Sequence, residues 1–270
     1  MRLINLRPSR GAALIVAALP FAALIVVYLV FSDLRIEANP NDKLLPSMES
    51  FAEAIRRMAF EPSVRTGEIL LWADTAASLQ RLFIGIGVSA LAGFTFGILN
   101  GLIPWFSATW SPLVRVVSMI PPMAVLPILF ITFGLGELAK VVLIVFGTAP
   151  FIMRDLEQRV RELPREQIVK AQTLDANTWQ IVVRVVAPQV LPRLMDAVRL
   201  SLGAAWLFLI AAEAIASTEG LGYRIFLVRR YLAMDVILPY VAWITLLAFL
   251  LDVGFRRFNA FFFPWYGTSR

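Results

Sequence analysis

Cysteine and histidine are both absent from the 270 residues, and only 16% of the chain is charged. Without cysteine there are neither disulfides nor thiolate metal sites. Without histidine the chain lacks the commonest metal ligand and the one side chain that ordinarily titrates near neutrality. Serine–histidine hydrolysis, cysteine–histidine chemistry and zinc-helix proteolysis are therefore closed to this chain acting alone. Charge is scarce as well, because a soluble domain carries about a quarter charged residues.

What fills the sequence instead is apolar: 59% of the residues are hydrophobic, and the mean hydropathy is +0.74. The apolar residues come in long unbroken runs. A closed outer-membrane barrel would show short alternating segments. Long runs imply helices, which satisfy their own backbone groups in lipid. The net charge of +6 is then simplest as lysine and arginine gathered on the cytoplasmic side, not as a nucleic-acid footprint.

Residues 11–32 carry no charge, enough to cross about 30 Å of hydrocarbon. Arg2, Arg7 and Arg10 precede them, so the segment reads as a retained first helix with a cytoplasmic N-terminus. Residues 82–114 are also charge-free, too long for one straight span. Asn100-Gly101 and Pro104 supply turn chemistry inside that run, which places helix two near 75–99 and helix three near 111–133. Pro121, Pro122 and Pro127 remove backbone donors from helix three. Two readings stay open there: a packing kink, or a discontinuous helix lining a cavity. Helix four is expected over about 138–153 with Lys140 snorkelling at one end, helix five over 194–216 and helix six over 236–255.

Six spans put both termini on one side. The loop between helices four and five holds Arg154, Arg159, Arg161, Arg165, Lys170, Arg184 and Arg193, and the tail adds Arg256, Arg257 and Arg270. The positive-inside rule makes that side the cytoplasm. The opposite loop carries Arg35, Lys43, Arg56, Arg57 and Arg65 mixed with acids. Within it, residues 48–60 have helical apolar spacing and are expected along the outer membrane surface. The stretch 154–193, interrupted by Pro164, Pro188 and Pro192, is too long for a connector; two readings stay open from the residues alone, a docking surface for a soluble partner or a solvated interfacial helix with no partner.

Several segments resemble the permease subunits of bacterial type I ABC importers, in the branch that handles nitrate, sulfonates, taurine and bicarbonate. Ser78-Leu79-x-Arg81 with Gly85 and Gly93 is similar to that branch's second helix. Pro112-Leu-x-Arg115, Pro121-Pro122-x-Ala124-x-Leu126-Pro127 and Phe133-Gly-x-Gly136-Glu-x-x-Lys140 follow its third helix and next loop. Ala212-Glu213, Gly220-Leu-Gly222-Tyr223 and Asp252 match its last third. The resemblance implies an all-α integral membrane fold of about six transmembrane helices. It divides into a first helix with an external amphipathic segment (1–74) and a core permease domain (75–265).

The family's cytoplasmic loop carries a motif of the form EAA, three residues, G, nine residues, I-x-L-P. Its register here falls on Val169-Lys170-Ala171, Asp175 and Val185-Val-Ala187-Pro188, where only Ala171 and the proline match strictly. Aspartate is one of the few residues that replaces glycine in a left-handed backbone; Asp175 is also expected to cap the segment that follows it. The resemblance makes this the coupling helix that docks an ATPase, with Arg165, Glu166, Lys170, Ala171, Thr173, Leu174, Asp175, Ala176, Asn177 and Gln180 as its residues. It implies a second permease subunit, two ATPase subunits binding ATP and Mg, a substrate-binding protein and an inner-membrane location. No Walker-type phosphate loop occurs in the chain, so no cofactor and no enzymatic activity are expected of it.

Charges at the span boundaries are Arg81, Arg115, Arg199, Glu213 and Asp252, for which pairing or snorkelling competes with function. Candidates for the pathway are Arg81, Arg115, Pro121, Pro122, Ser201 and Glu213, since an anionic substrate would want cationic walls. Ser201, Gly203 and Ala204-Ala205 fit helix packing better than a pathway. An ion-coupled secondary transporter is the alternative and would want acids deep at the midplane. An intramembrane enzyme and a membrane scaffold fit less well.

Overall fold

The computed structural model describes residues 9–39, 43–64 and 66–267; Arg2, Arg7, Arg65 and Arg270 lie outside them. α1 (Arg10–Ala38) is capped by Ser9, whose hydroxyl accepts from the Ala12 amide. Its apolar side chains, from Leu14 to Leu34, are exposed on the subunit. It is tied down near its end, where Tyr28 donates to the Pro46 carbonyl at 2.7 Å and Ser32 to Leu45 at 3.0 Å. α2 (Met48–Ala59), capped by Ser47, is the amphipathic segment read from the sequence.

The core follows as α3 (Leu70–Leu102), α4 (Pro104–Val117), α5 (Pro122–Phe133), α6 (Glu137–Arg161), α7 (Arg165–Thr173) and α8 (Thr178–Ile181). A π-helical turn over Val182–Val186 leads into α9 (Ala187–Ala216), then α10 (Leu221–Arg229), α11 (Met234–Phe262) and α12 (Pro264–Gly267). Among the described residues, four helical stretches are long and apolar enough to cross a bilayer: Gly11–Ala38, Leu70–Leu102, Thr178–Ala216 and Met234–Phe262. α4 and α5 together make a fifth, bent by 97°. α6, 25 residues long, falls outside that set because its charge-free stretch is short; it lies buried against α3 and α9, and counting it brings the helices of spanning length to six.

Helix three is thus broken rather than kinked, and it starts at Pro104, not near residue 111. The cause is local. Pro122 forces the residue before it out of the helical region, and Pro121 is extended at φ −63°, ψ 119°. Neither proline can donate a backbone hydrogen bond. Pro127, one turn further, stays inside α5.

Two other expectations are corrected. Pro188 and Pro192 do not interrupt the chain: the helix runs through both into α9, because the π turn re-registers the ladder just before them and the Ala187 amide bonds to Val182. Lys140 does not snorkel; it is 3% exposed and bound to Glu137 within its own helix.

The tightest seam is α3 against α6. Gly85, Ser89, Gly93, Gly97 and Gly101 recur every fourth residue along one α3 ridge. Facing them are Ile144, Thr148, Ile152, Leu156 and Val160. A Cβ on Gly85 would sit 2.7 Å from Ile144 and one on Gly101 2.5 Å from Val160, so only glycine permits this approach. In the middle the Ser89 and Thr148 hydroxyls bond at 2.7 Å. Close backbone approach through small residues is how helices associate where lipid removes the hydrophobic driving force.

Candidate functional sites at the two ends of the bundle

At the end away from α7, one face of α3 presents Asp74, Ser78 and Arg81. Arg81 is 3% exposed, and its guanidinium reaches the start of α6, the end of α9 and the turn between α9 and α10. It donates to Glu213 at 2.7 Å and to the Glu219 carbonyl at 3.1 Å. Its other two nitrogens bind Glu137. Glu213 is completely buried and takes further hydrogen bonds from Ser78 at 2.8 Å and the Gly222 amide at 2.9 Å. Asp74 accepts from the Gly220 amide, Arg224 and Tyr240. Lys140 joins Glu137 to Ser217.

The α9–α10 turn exists to let this cluster close. Gly220 has φ +118°, and a Cβ there would lie 2.5 Å from the Glu213 carboxyl. The acids are therefore neutralised by cations from other helices, and among the described residues no group of acids is arranged to hold a metal. Of the five boundary charges, four pair with one another: Arg81 with Glu213, and Arg199 with Asp252 at 3.6 Å. Ser201 is buried and donates to the Ala197 carbonyl of its own helix. Arg81, Glu213 and Ser201 thus offer almost no surface to a solute in this conformation.

Arg115 is different. It is exposed near the end of α4, and Ser118, three residues on, donates to its carbonyl at 2.8 Å. Arg154 of α6 reaches across to the same Ser118 hydroxyl at 2.9 Å. Pro121 is exposed and Pro122 half-buried at the break that follows. Sequence reasoning assigned Arg154 to the loop and missed this meeting, because α6 extends eight residues beyond Met153.

At the opposite end α7 has no buried residue. It stops in a Schellman turn: the Ala176 amide bonds back to Ala171 at 3.1 Å and the Asp175 amide to Gln172 at 3.0 Å. Asp175 takes the left-handed conformation at φ 61°. It is not the cap of the next helix. That role falls to Asn177, which forms a capping box with Gln180, each bond 2.9 Å. Thr173 donates to the Lys170 carbonyl, and Gln189 of α9 ties α7 through Gln167. At the elbow before α7, Gln158 and Arg159 hold the Glu162 carboxyl below its ordinary pKa.

Ala171 and Ala176 are half-buried against the core, whereas Arg165, Glu166, Lys170, Thr173 and Asp175 face outward. Apolar side chains face outward with them: Leu174 is 75% exposed, Trp179 72% and Val169 55%.

The model of the binding-protein-dependent transport system inner membrane component matches residues 85–267. The chain belongs to that family. Its relatives include the taurine transport system permease of Escherichia coli (strain K12), 37% identical over 198 residues, which span 73% of this chain and 72% of that one. The bicarbonate transport system permease of Synechococcus elongatus is 31% identical over 219 residues, 79% and 76% of the two chains. Among solved structures, the MetNI methionine ABC transporter in an inward-facing conformation superposes with a TM-score of 0.59 at 25% identity, covering 70% of this chain and 94% of that one. This permease is therefore a membrane-embedded subunit of the ABC importer family, and its fold is that of its relatives.

Proposed function

We propose that two copies of this permease form the pathway of an ATP-driven importer for a small oxyanion nutrient, of the sulfonate or bicarbonate kind. Two ATPase subunits, holding ATP and Mg, dock on the α7–Asp175–α8 turn, and a substrate-binding protein delivers solute at the Arg81 end. The carrying observation is an exposed apolar trio: Val169 on α7, which has no buried residue of its own, Leu174 at its C-cap and Trp179 on α8. Apolar surface of this kind beside a charged rim is what a partner protein covers. The substrate class follows the taurine and bicarbonate relatives. The α7 end then faces the cytoplasm, with both chain termini, in the bacterial inner membrane.

ATP closure would pull the docked turns of the two copies together. Each turn is braced on its own bundle through Ala171, Ala176 and the Gln167–Gln189 bond, so its displacement passes to α6 and α9. The Arg81 cluster fastens the far ends of those same helices, which would let each subunit tilt as one body.

The test is purification of the tagged permease with its genomic neighbours in mild detergent. A nucleotide-binding subunit is expected to accompany it and hydrolyse ATP. L174R and W179R should each release that subunit. Recovery of the permease alone, or retention of the ATPase by both variants, would contradict the docking assignment.

A further inference from the structure

At the break between α4 and α5 the Ser118 hydroxyl accepts from the Arg154 guanidinium and donates to the Arg115 backbone carbonyl, and neither arginine makes an ion pair among the described residues. At the Arg81 end, by contrast, Arg81 and Arg224 each face a buried acid. Here the Arg154 cation rests on a neutral hydroxyl, and Arg115 stands one turn before that hydroxyl on the other helix.

Their depth makes this costly. Glu137 opens α6 with its carboxylate 61% exposed on the subunit. Arg154 lies 17 residues further along the same helix, about 25 Å at the helical rise. A bilayer's hydrocarbon is about 30 Å thick. With Glu137 in water, Arg154 falls inside the far boundary of the hydrocarbon, and the Ser118 bond brings the α4 end, with Arg115 one turn before it, to the same level. Cations at that depth either snorkel to the nearby interface or face a water-filled cavity and take a counter-charge there. The break adds the N-terminal, positive end of α5's dipole beside them, with no acid to offset it.

We infer that Arg115, Ser118 and Arg154 form an oxyanion station on the transport path, holding a sulfonate, carboxylate or bicarbonate group on its way past the break. This rests on the importer reading above and names the site where that substrate class is recognised. Arginine suits the task because its planar fork matches the two oxygens of such groups. Ser118 sets the Arg154 fork through one nitrogen and leaves the others free. In a two-copy assembly the station would occur twice, giving the solute a cationic stretch of pathway while the binding protein and ATPase remain elsewhere.

The same oxyanion chemistry is offered by a phospholipid phosphate, so the test separates the two sources. The whole importer, with its binding protein, is reconstituted into vesicles and scored for ATP-dependent uptake of taurine, ethanesulfonate and bicarbonate. R115Q and R154Q are compared with R115K and R154K, and retention of the ATPase subunit in each purified variant serves as the folding control. Uptake of the solute that the wild type carries should fall about tenfold or more in each glutamine variant, the scale of one lost charge-assisted contact; the lysine variants should keep most of it. The loss should be the same in vesicles of phosphatidylcholine alone and with phosphatidylglycerol added. Unchanged uptake in both glutamine variants overturns the station and leaves the importer reading standing. A loss confined to phosphatidylglycerol vesicles also overturns it, assigning the cations to lipid. A wild type that carries none of the three solutes overturns the substrate reading and the station with it.

Discussion

Replacing Arg81 by glutamine should cost more stability than replacing the acid it grips, and the structure gives the reason. Arg81 is 3% exposed and Glu213 not at all. In R81Q the buried Glu213 carboxylate keeps Ser78 and the Gly222 amide but loses its cation. Removing one partner of a buried pair costs about 3–5 kcal/mol, because an uncompensated charge stays behind. In E213Q, by contrast, Arg81 still holds Glu137 and Glu219, so the loss is nearer one charged hydrogen bond, about 1.5–3 kcal/mol. The double variant R81Q/E213Q removes the stranded charge and should be more stable than R81Q alone, a sign that additive effects cannot produce. Thermal unfolding of purified protein in detergent reads all three. On the usual scaling for chains of this size R81Q should drop the midpoint by roughly 6–20 °C. A double variant less stable than R81Q, or E213Q costing more than R81Q, would refute the reasoning.

Two further outcomes test the seam and the turn. G93V pushes a branched side chain into Ile152 and should destabilise by about 1–3 kcal/mol, whereas G87V, where a Cβ meets nothing within 4 Å, should leave the melting midpoint in place. At the Schellman turn D175G should hold or raise the stability of the isolated permease, while D175V, β-branched at φ 61°, should lower it by about 1–2 kcal/mol; equal midpoints for the two would deny that backbone conformation governs the position.

Much of the bundle was legible because lipid imposes one rule: long charge-free runs become helices. Hence α1, α3 and α11 fall where the runs do, each extending several residues past them, since hydropathy marks the apolar part of a helix and not its wetted ends. The same limit hid the tail of α6, whose Asp155 to Arg161 segment is polar in sequence yet helical, with Leu156 and Val160 buried on α3. Proline was an ambiguous sign. Pro121-Pro122 broke a span as two adjacent prolines must, but Pro188 and Pro192 were absorbed by a π turn that only the packed helix specifies.

The sites divide in the same way. The left-handed backbone at Asp175 was predictable from residue type and motif register, because few residues other than glycine tolerate it. That Asn177, not Asp175, caps α8 turned on which of two neighbouring side chains faced the next amides. Arg81 and Glu213 were each visible as costly charges, but they are 132 residues apart, and nothing local in the sequence says that they meet. The four-residue recurrence of Gly85, Ser89, Gly93, Gly97 and Gly101 was present in the sequence as a signal of close helix approach; its partner ridge on α6 carried no comparable mark.

The importer reading is tested most directly by sided reconstitution, with substrate-binding protein and labelled solute on the Arg81 face of the vesicle membrane and ATP on the α7 face. Accumulation on the α7 side that needs both ATP and the binding protein, and that stops when ATP is moved to the Arg81 face, is the predicted result. Accumulation driven by an ion gradient without ATP would contradict it and make the protein a secondary transporter.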